Sequence, residues 1–101
     1  MATVRTLINP QSRTVTSASA KFTLALKTRQ LYRITVDCDT WFRFANENDT
    51  VAASGAGAIL LGAFDHLDIA TPDHGGVYLH VIRAAGVDGN ANIAEIVDVE
   101  V

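Results

Sequence analysis

Residues 31–45 read LYRITVDCDTWFRFA. Two alternating runs flank Asp37-Cys38-Asp39. Tyr32, Ile34, Val36 and Cys38 share one face of the first run, with Arg33, Thr35 and Asp37 on the other. In the second run Phe42 and Phe44 face one way, and Trp41 and Arg43 the other. A period of two places successive side chains on opposite faces of a half-buried strand. The stretch therefore predicts two paired β-strands joined by an aspartate-bent turn, in a sandwich or barrel.

The same period recurs between turn signals on either side of this stretch. Lys21–Leu26 predicts a strand with Phe22, Leu24 and Leu26 on one face. Phe64–Ala70 turns Leu67 and Ile69 inward and His66 and Asp68 outward. Val77–Ala85 is apolar on both sides, with Val77, Leu79 and Val81 against Tyr78, His80 and Ile82, as in a central or interface strand. The last strand is expected over 91–101, with Glu95, Asp98 and Glu100 in it. Asn46–Asp49, Thr71–Gly76 and Gly86–Asn90 carry the Asn, Asp, Pro and Gly that favour turns. The stretch 51–58, VAASGAGA, is expected as a loop, and Ala58-Ile59-Leu60-Leu61 as a short apolar run ending at Gly62. No segment has a sustained helical period, and glycines 55, 57 and 62 break the best helical window.

The N-terminal segment is read as an arm. Residues 2–8 alternate like a strand, Asn9-Pro10 reads as a stop, and Ser12–Ala20 is small and polar. Such an arm is ordered when it docks on its own sheet or on a neighbouring subunit. The expected organisation is an arm over 1–19 and a β-sandwich domain over 20–101. The fold class is all-β, a single-domain, jelly-roll-like sandwich of about eight short antiparallel strands. On that division, deleting residues 2–19 leaves a folded domain.

Composition narrows the function classes. A chain of 101 residues supports one domain. Eight Lys and Arg are scattered and the net charge is −3, so no basic stripe tracks a nucleic-acid backbone. No apolar run approaches the roughly 20 residues of a membrane-spanning helix. The N-terminus shows no secretory signal, which points to synthesis in a cytoplasm. Cys38 is the one cysteine. It cannot form an internal disulfide, and aspartates on both sides oppose thiolate formation, so it is expected as a buried apolar residue.

Candidate chemistry is sparse. His66, His74 and His80 are spaced by eight and six residues, with no HxH pair to place two ligands on one strand face. No metal or cofactor is expected. Asp37 and Asp39 serve the turn better than they serve acid–base or calcium chemistry, which needs more oxygens nearby. Residues 55–62, GAGAILLG, lack the GK[ST] ending of a phosphate loop. Trp41 offers a surface for a sugar ring, but with one Trp and two Tyr in the chain its expected role is a core or subunit contact.

The arm, the RITV…WFRFA strand pair, HLDIATP and GGVYLHVIRAAG together resemble small β-sandwich proteins encoded in the structural modules of tailed bacteriophages. The similarity spans roughly residues 20–86. It implies a non-enzymatic virion component, foremost a capsid decoration or cement protein that binds and stabilises the head shell. It also implies a homo-oligomer, a trimer in particular, whose partner is the major capsid protein or another virion protein. A tail or head-fibre attachment component and a carbohydrate-binding sandwich are the alternatives. No catalytic residue is carried over. Tyr78, His80, Ile82 and Trp41 are the expected interface residues.

Overall fold

The computed structural model describes residues 2–49 and 57–100. Residues 51–56 of the expected alanine- and glycine-rich loop lie outside the described residues. Eight strands are found among the described residues: β1 Thr3–Val15, β2 Ala20–Lys21, β3 Leu31–Val36, β4 Thr40–Ala45, β5 Ile59–Leu61, β6 His66–Ala70, β7 Tyr78–Arg83 and β8 Gly89–Glu100. They form two four-stranded sheets, ordered β1-β8-β3-β6 and β2-β7-β4-β5, with every pairing antiparallel.

The pairs β1–β8, β2–β7, β3–β6 and β4–β5 nest inside one another, like one long hairpin with its tip at β4–β5 rolled onto itself. That order is consistent with a jelly roll. β7 is central, between β2 and β4, as its two apolar faces suggested.

Alternation decides which faces meet. Tyr32, Ile34 and Val36 of β3, Ala91 and Ile93 of β8, and Phe42, Leu79 and Val81 of the second sheet are buried together. Leu67 and Ile69 pack against this core from β6, as expected. Phe42 and Phe44 meet edge to face with ring centroids 6.4 Å apart, a geometry that adds to their burial. Cys38 is buried in the same cluster. Thr71, also buried, ties two loops together: its hydroxyl donates to the Lys27 carbonyl at 2.5 Å and accepts from the Gln30 amide at 3.0 Å.

Three expectations are corrected. β3 and β4, expected to pair with each other, lie in different sheets: β3 pairs with β6 and β8, and β4 with β5 and β7, so the Asp37–Asp39 turn carries the chain from one sheet to the other instead of closing a hairpin. Asn9-Pro10 does not end a strand. Ile8 pairs with Glu95 and Gln11 with Ile93, so Asn9 and Pro10 together oppose Ala94 in a bulge. An edge strand tolerates a proline at such a bulge, and Asn9 adopts the left-handed φ of 49° that asparagine accepts. The segment read as an arm thus supplies β1, docked along β8 of its own sheet, and Val15 at its end is fully buried.

Phe22, Leu24 and Leu26, expected on one face of a strand, do not share a face. Phe22 and Leu26 are buried, whereas Leu24 is exposed. The amides of Phe22 and Leu26 bond to the carbonyls of Leu79 and Val77 at 2.9 and 2.8 Å. Four residues therefore span two of β7, and the excess bows Leu24 outward. Its amide is met by the Gln11 side chain at 3.1 Å.

Candidate functional site

The four expected interface residues come together on the outer face of the β2-β7-β4-β5 sheet. Register places Trp41 beside Ile82, Arg43 beside His80, and Ala45 beside Tyr78. Leu60 of β5 lies on the other side of Trp41. Ile82, Trp41 and Leu60 therefore form an apolar row across three strands, with Leu60 exposed and the other two half-buried. His80 is different. It is almost fully buried on this face, with Nε2 2.8 Å from the Asn46 carbonyl oxygen. Lys21 sits over the Tyr78 ring, 4.5 Å from its centroid, and pairs with Glu47 at 3.2 Å.

The histidines are dispersed. His66 is exposed on the outer face of the β1-β8-β3-β6 sheet, His74 is exposed in the β6–β7 loop, and His80 lies on the other sheet. Among the described residues, no group of three His, Cys, Asp or Glu side chains could hold a metal ion. Asp37 and Asp39 staple the β3–β4 turn to its neighbours. Asp37 Oδ1 accepts the Asn90 amide at 2.6 Å, and Asp39 Oδ1 accepts the Ala63 amide at 2.8 Å.

The feature that sequence reasoning missed is a two-stranded overhang. β3 covers β8 only from Ala91 to Glu95. Beyond that point Thr3–Leu7 and Ile96–Glu100 pair with each other alone. The molecule is accordingly elongated, 47 Å by 29 Å by 21 Å. One face of this ribbon continues the buried face of its sheet and carries Val4, Thr6, Ile8, Val97 and Val99. Val4 and Val99 remain 49% and 46% exposed. The opposite face carries Leu7 and the Arg5–Asp98 ion pair at 3.3 Å. Nearer the body, Arg33 forks onto Asp68 at 2.7 and 2.9 Å. The guanidinium's hydrogen bonds hold the Asp68 carboxyl below the usual carboxylate range.

Where the ribbon leaves the body, Glu95 occupies a core-facing position opposite Tyr32. Its carboxylate accepts Lys27 Nζ at 2.7 Å and Asn9 Nδ2 at 2.8 Å. Burial pushes its acidity the other way, but the hydrogen bonds from Lys27 and Asn9 prevail and its pKa is lowered. The bulge at Asn9 is what aims that amide at the carboxylate. A shallow cavity of about 270 Å³ lies here, with Gln11, Leu24 and Tyr32 in its wall.

A second outlier is Phe64. It has a left-handed φ of 65° and a side chain 85% exposed. A bulky residue seldom accepts the first condition. The turn holds that backbone: the Phe64 amide bonds to the Val36 carbonyl at 2.8 Å, and the Asp65 amide to the Gly62 carbonyl at 3.0 Å. The ring stands beside an open cavity of about 490 Å³ bordered by Leu7, Thr35, Val36, His66 and Asn92.

Neither site has a strong sequence signal. Phe64 read as the first residue of a strand, and the overhang follows from the unequal lengths of β3 and β8. No family model matches the chain, and neither does any curated protein or solved structure.

Proposed function

We propose that this chain is a non-enzymatic structural protein of a tailed-phage virion, foremost a capsid decoration protein that binds the major capsid protein as a symmetric homo-oligomer. The overhanging β1–β8 ribbon is the observation that carries this reading. A protein that clamps the joints of a shell needs a stiff body and an element that reaches beyond it. The sandwich supplies the first, and the ribbon supplies the second with apolar side chains on both faces. Repetition over many equivalent shell sites multiplies modest individual contacts. The strands that best match in the resemblance are β3, β4 and β7, with β6 contributing HLDIATP. β4 and β7 are neighbours and hold the outward row of Trp41 and Ile82.

The test is particle composition. Particles would be induced from a host that carries the coding sequence, purified, and separated into heads and tails for quantitative mass spectrometry. The proposal expects the chain on heads in copy numbers of tens or more. Recovery with tails would favour the attachment-component reading, and absence from particles would overturn the virion assignment.

A further inference from the structure

We infer that the outer edge of β1 pairs, antiparallel, with the same edge of a second copy of this chain, about a two-fold axis at Thr6. This contact does not rest on the virion reading.

β1 is the longest strand, yet it stands at a sheet edge. Exposed edges are templates for pairing, and folded proteins usually blunt them. Here the backbone devices lie in one place, and the one charge between Thr3 and Ile8, Arg5, is paired with Asp98 of β8. The Asn9-Pro10 bulge interrupts the edge, and beyond it Gln11 meets the Leu24 segment. Thr3–Ile8 carries neither device, and among the described residues no strand lies on its outer edge. A two-stranded ribbon is marginal in water, whereas three or more strands sharing an apolar face are stable. Adding a copy converts the overhang into a four-stranded sheet ordered β8-β1-β1-β8.

A two-fold axis normal to the sheet keeps each side chain on its own face, so opposed residues must share a face and the axis must pass through a residue. An axis at Thr6 sets Thr6 against Thr6 and sets Val4 of each copy against Ile8 of the other. β-branched pairs of this kind are favourable across antiparallel strands. An axis at Arg5 would oppose two guanidinium groups. An axis at Leu7 would draw Pro10 and the bulge into the ladder. An axis at Val4 would leave Leu7 and Ile8 outside it. The Thr6 register also puts Val4, Ile8, Val97 and Val99 of both copies on one continuous face. Arg5 keeps its own Asp98, so no charge is left unmatched. The contact is isologous and closes at two copies, where the resemblance implied three.

Cysteine cross-linking tests the register directly, because the one native cysteine, Cys38, is buried. Thr6→Cys places two sulfurs across the axis, at a Cα separation of about 4.5–5.5 Å that suits a disulfide. Arg5→Cys and Leu7→Cys sit diagonally at about 7–8 Å, too far to bridge. We expect mild oxidation to convert most Thr6→Cys protein to a covalent dimer and to leave the other two variants as single chains. A charge swap gives an independent reading. Val4→Lys with Ile8→Lys should halve the native mass with the thermal transition retained. Val4→Glu with Ile8→Lys, which opposes unlike charges twice, should restore the dimer. Equal cross-linking at positions 5, 6 and 7, or a native mass unchanged by the double lysine variant, would overturn the pairing.

Discussion

Glu95 Oε1 lies 2.7 Å from Lys27 Nζ, and the two side chains are 7% and 61% exposed. The carboxylate is thus buried on the core-facing side of β8, while its cationic partner reaches in from solvent. A buried carboxylate without partners would be costly, so Lys27 and Asn9 together make this position tenable. The pair closes the open end of the sandwich where the ribbon departs.

Glu95 makes stability depend on pH in a defined direction. Its folded pKa lies below the ordinary value of 4.5. A lowered carboxylate contributes stability that is present above the unfolded value and lost as pH falls through the folded value. Asp68, held down by Arg33, acts in the same sense below its ordinary 3.8. The melting temperature should therefore drop as pH is taken below about 4.5. Glu95→Gln should cost about 1 kcal/mol at pH 7 and flatten that drop. Melting curves of both proteins at pH 7 and pH 3 check it, and parallel drops would refute the assignment.

Phe64→Gly should stabilise the isolated protein. A left-handed φ costs an L-residue roughly 1–2 kcal/mol, and the exposed ring returns little burial for it. Glycine's greater unfolded entropy offsets about 0.5–1 kcal/mol. A net gain of about 0.5–1 kcal/mol in urea unfolding is expected.

Gly89→Ala should act oppositely. A Cβ built there would stand 2.9 Å from Cys38 Cβ and 2.8 Å from its sulfur. The start of β8 must then shift away from the β3–β4 turn. Overpacking of this kind costs about 1–3 kcal/mol, measurable by chemical denaturation.

Deleting residues 2–19 should abolish cooperative unfolding. It removes Val15 from the core and leaves β8 with one neighbour from Ala91 to Glu95 and none beyond. Circular dichroism melts of the truncated chain decide this. A sharp transition near that of the full chain would show that 20–101 stands alone, as the division at residue 19 expects.

The sandwich was legible because β3 and β6 alternate, so their buried faces could be read directly from the residues, and because the two apolar faces of β7 marked it as a central strand. The stretch Thr3–Val15 was less legible. Proline normally stops a strand, and only the edge position and the bulge make Asn9-Pro10 compatible with pairing. Phe22–Leu26 misled for the converse reason: its apolar spacing fits a strand, but a bow in the chain turns Leu24 outward. Of the expected interface, Trp41, Tyr78 and Ile82 do share a partly open face, while His80 is closed off at Asn46. Glu95 gave no local sign of burial. Its partners Lys27 and Asn9 are 68 and 86 residues away, so only the folded topology brings them together.

The most direct measurement is the native mass of the purified wild-type chain, by light scattering coupled to size exclusion at micromolar to tens-of-micromolar loading. An assembly protein paired through β1 should show about twice the 10.8 kDa chain mass, and the species should persist on dilution into the low micromolar range. A single 10.8 kDa species at every loading would contradict the account.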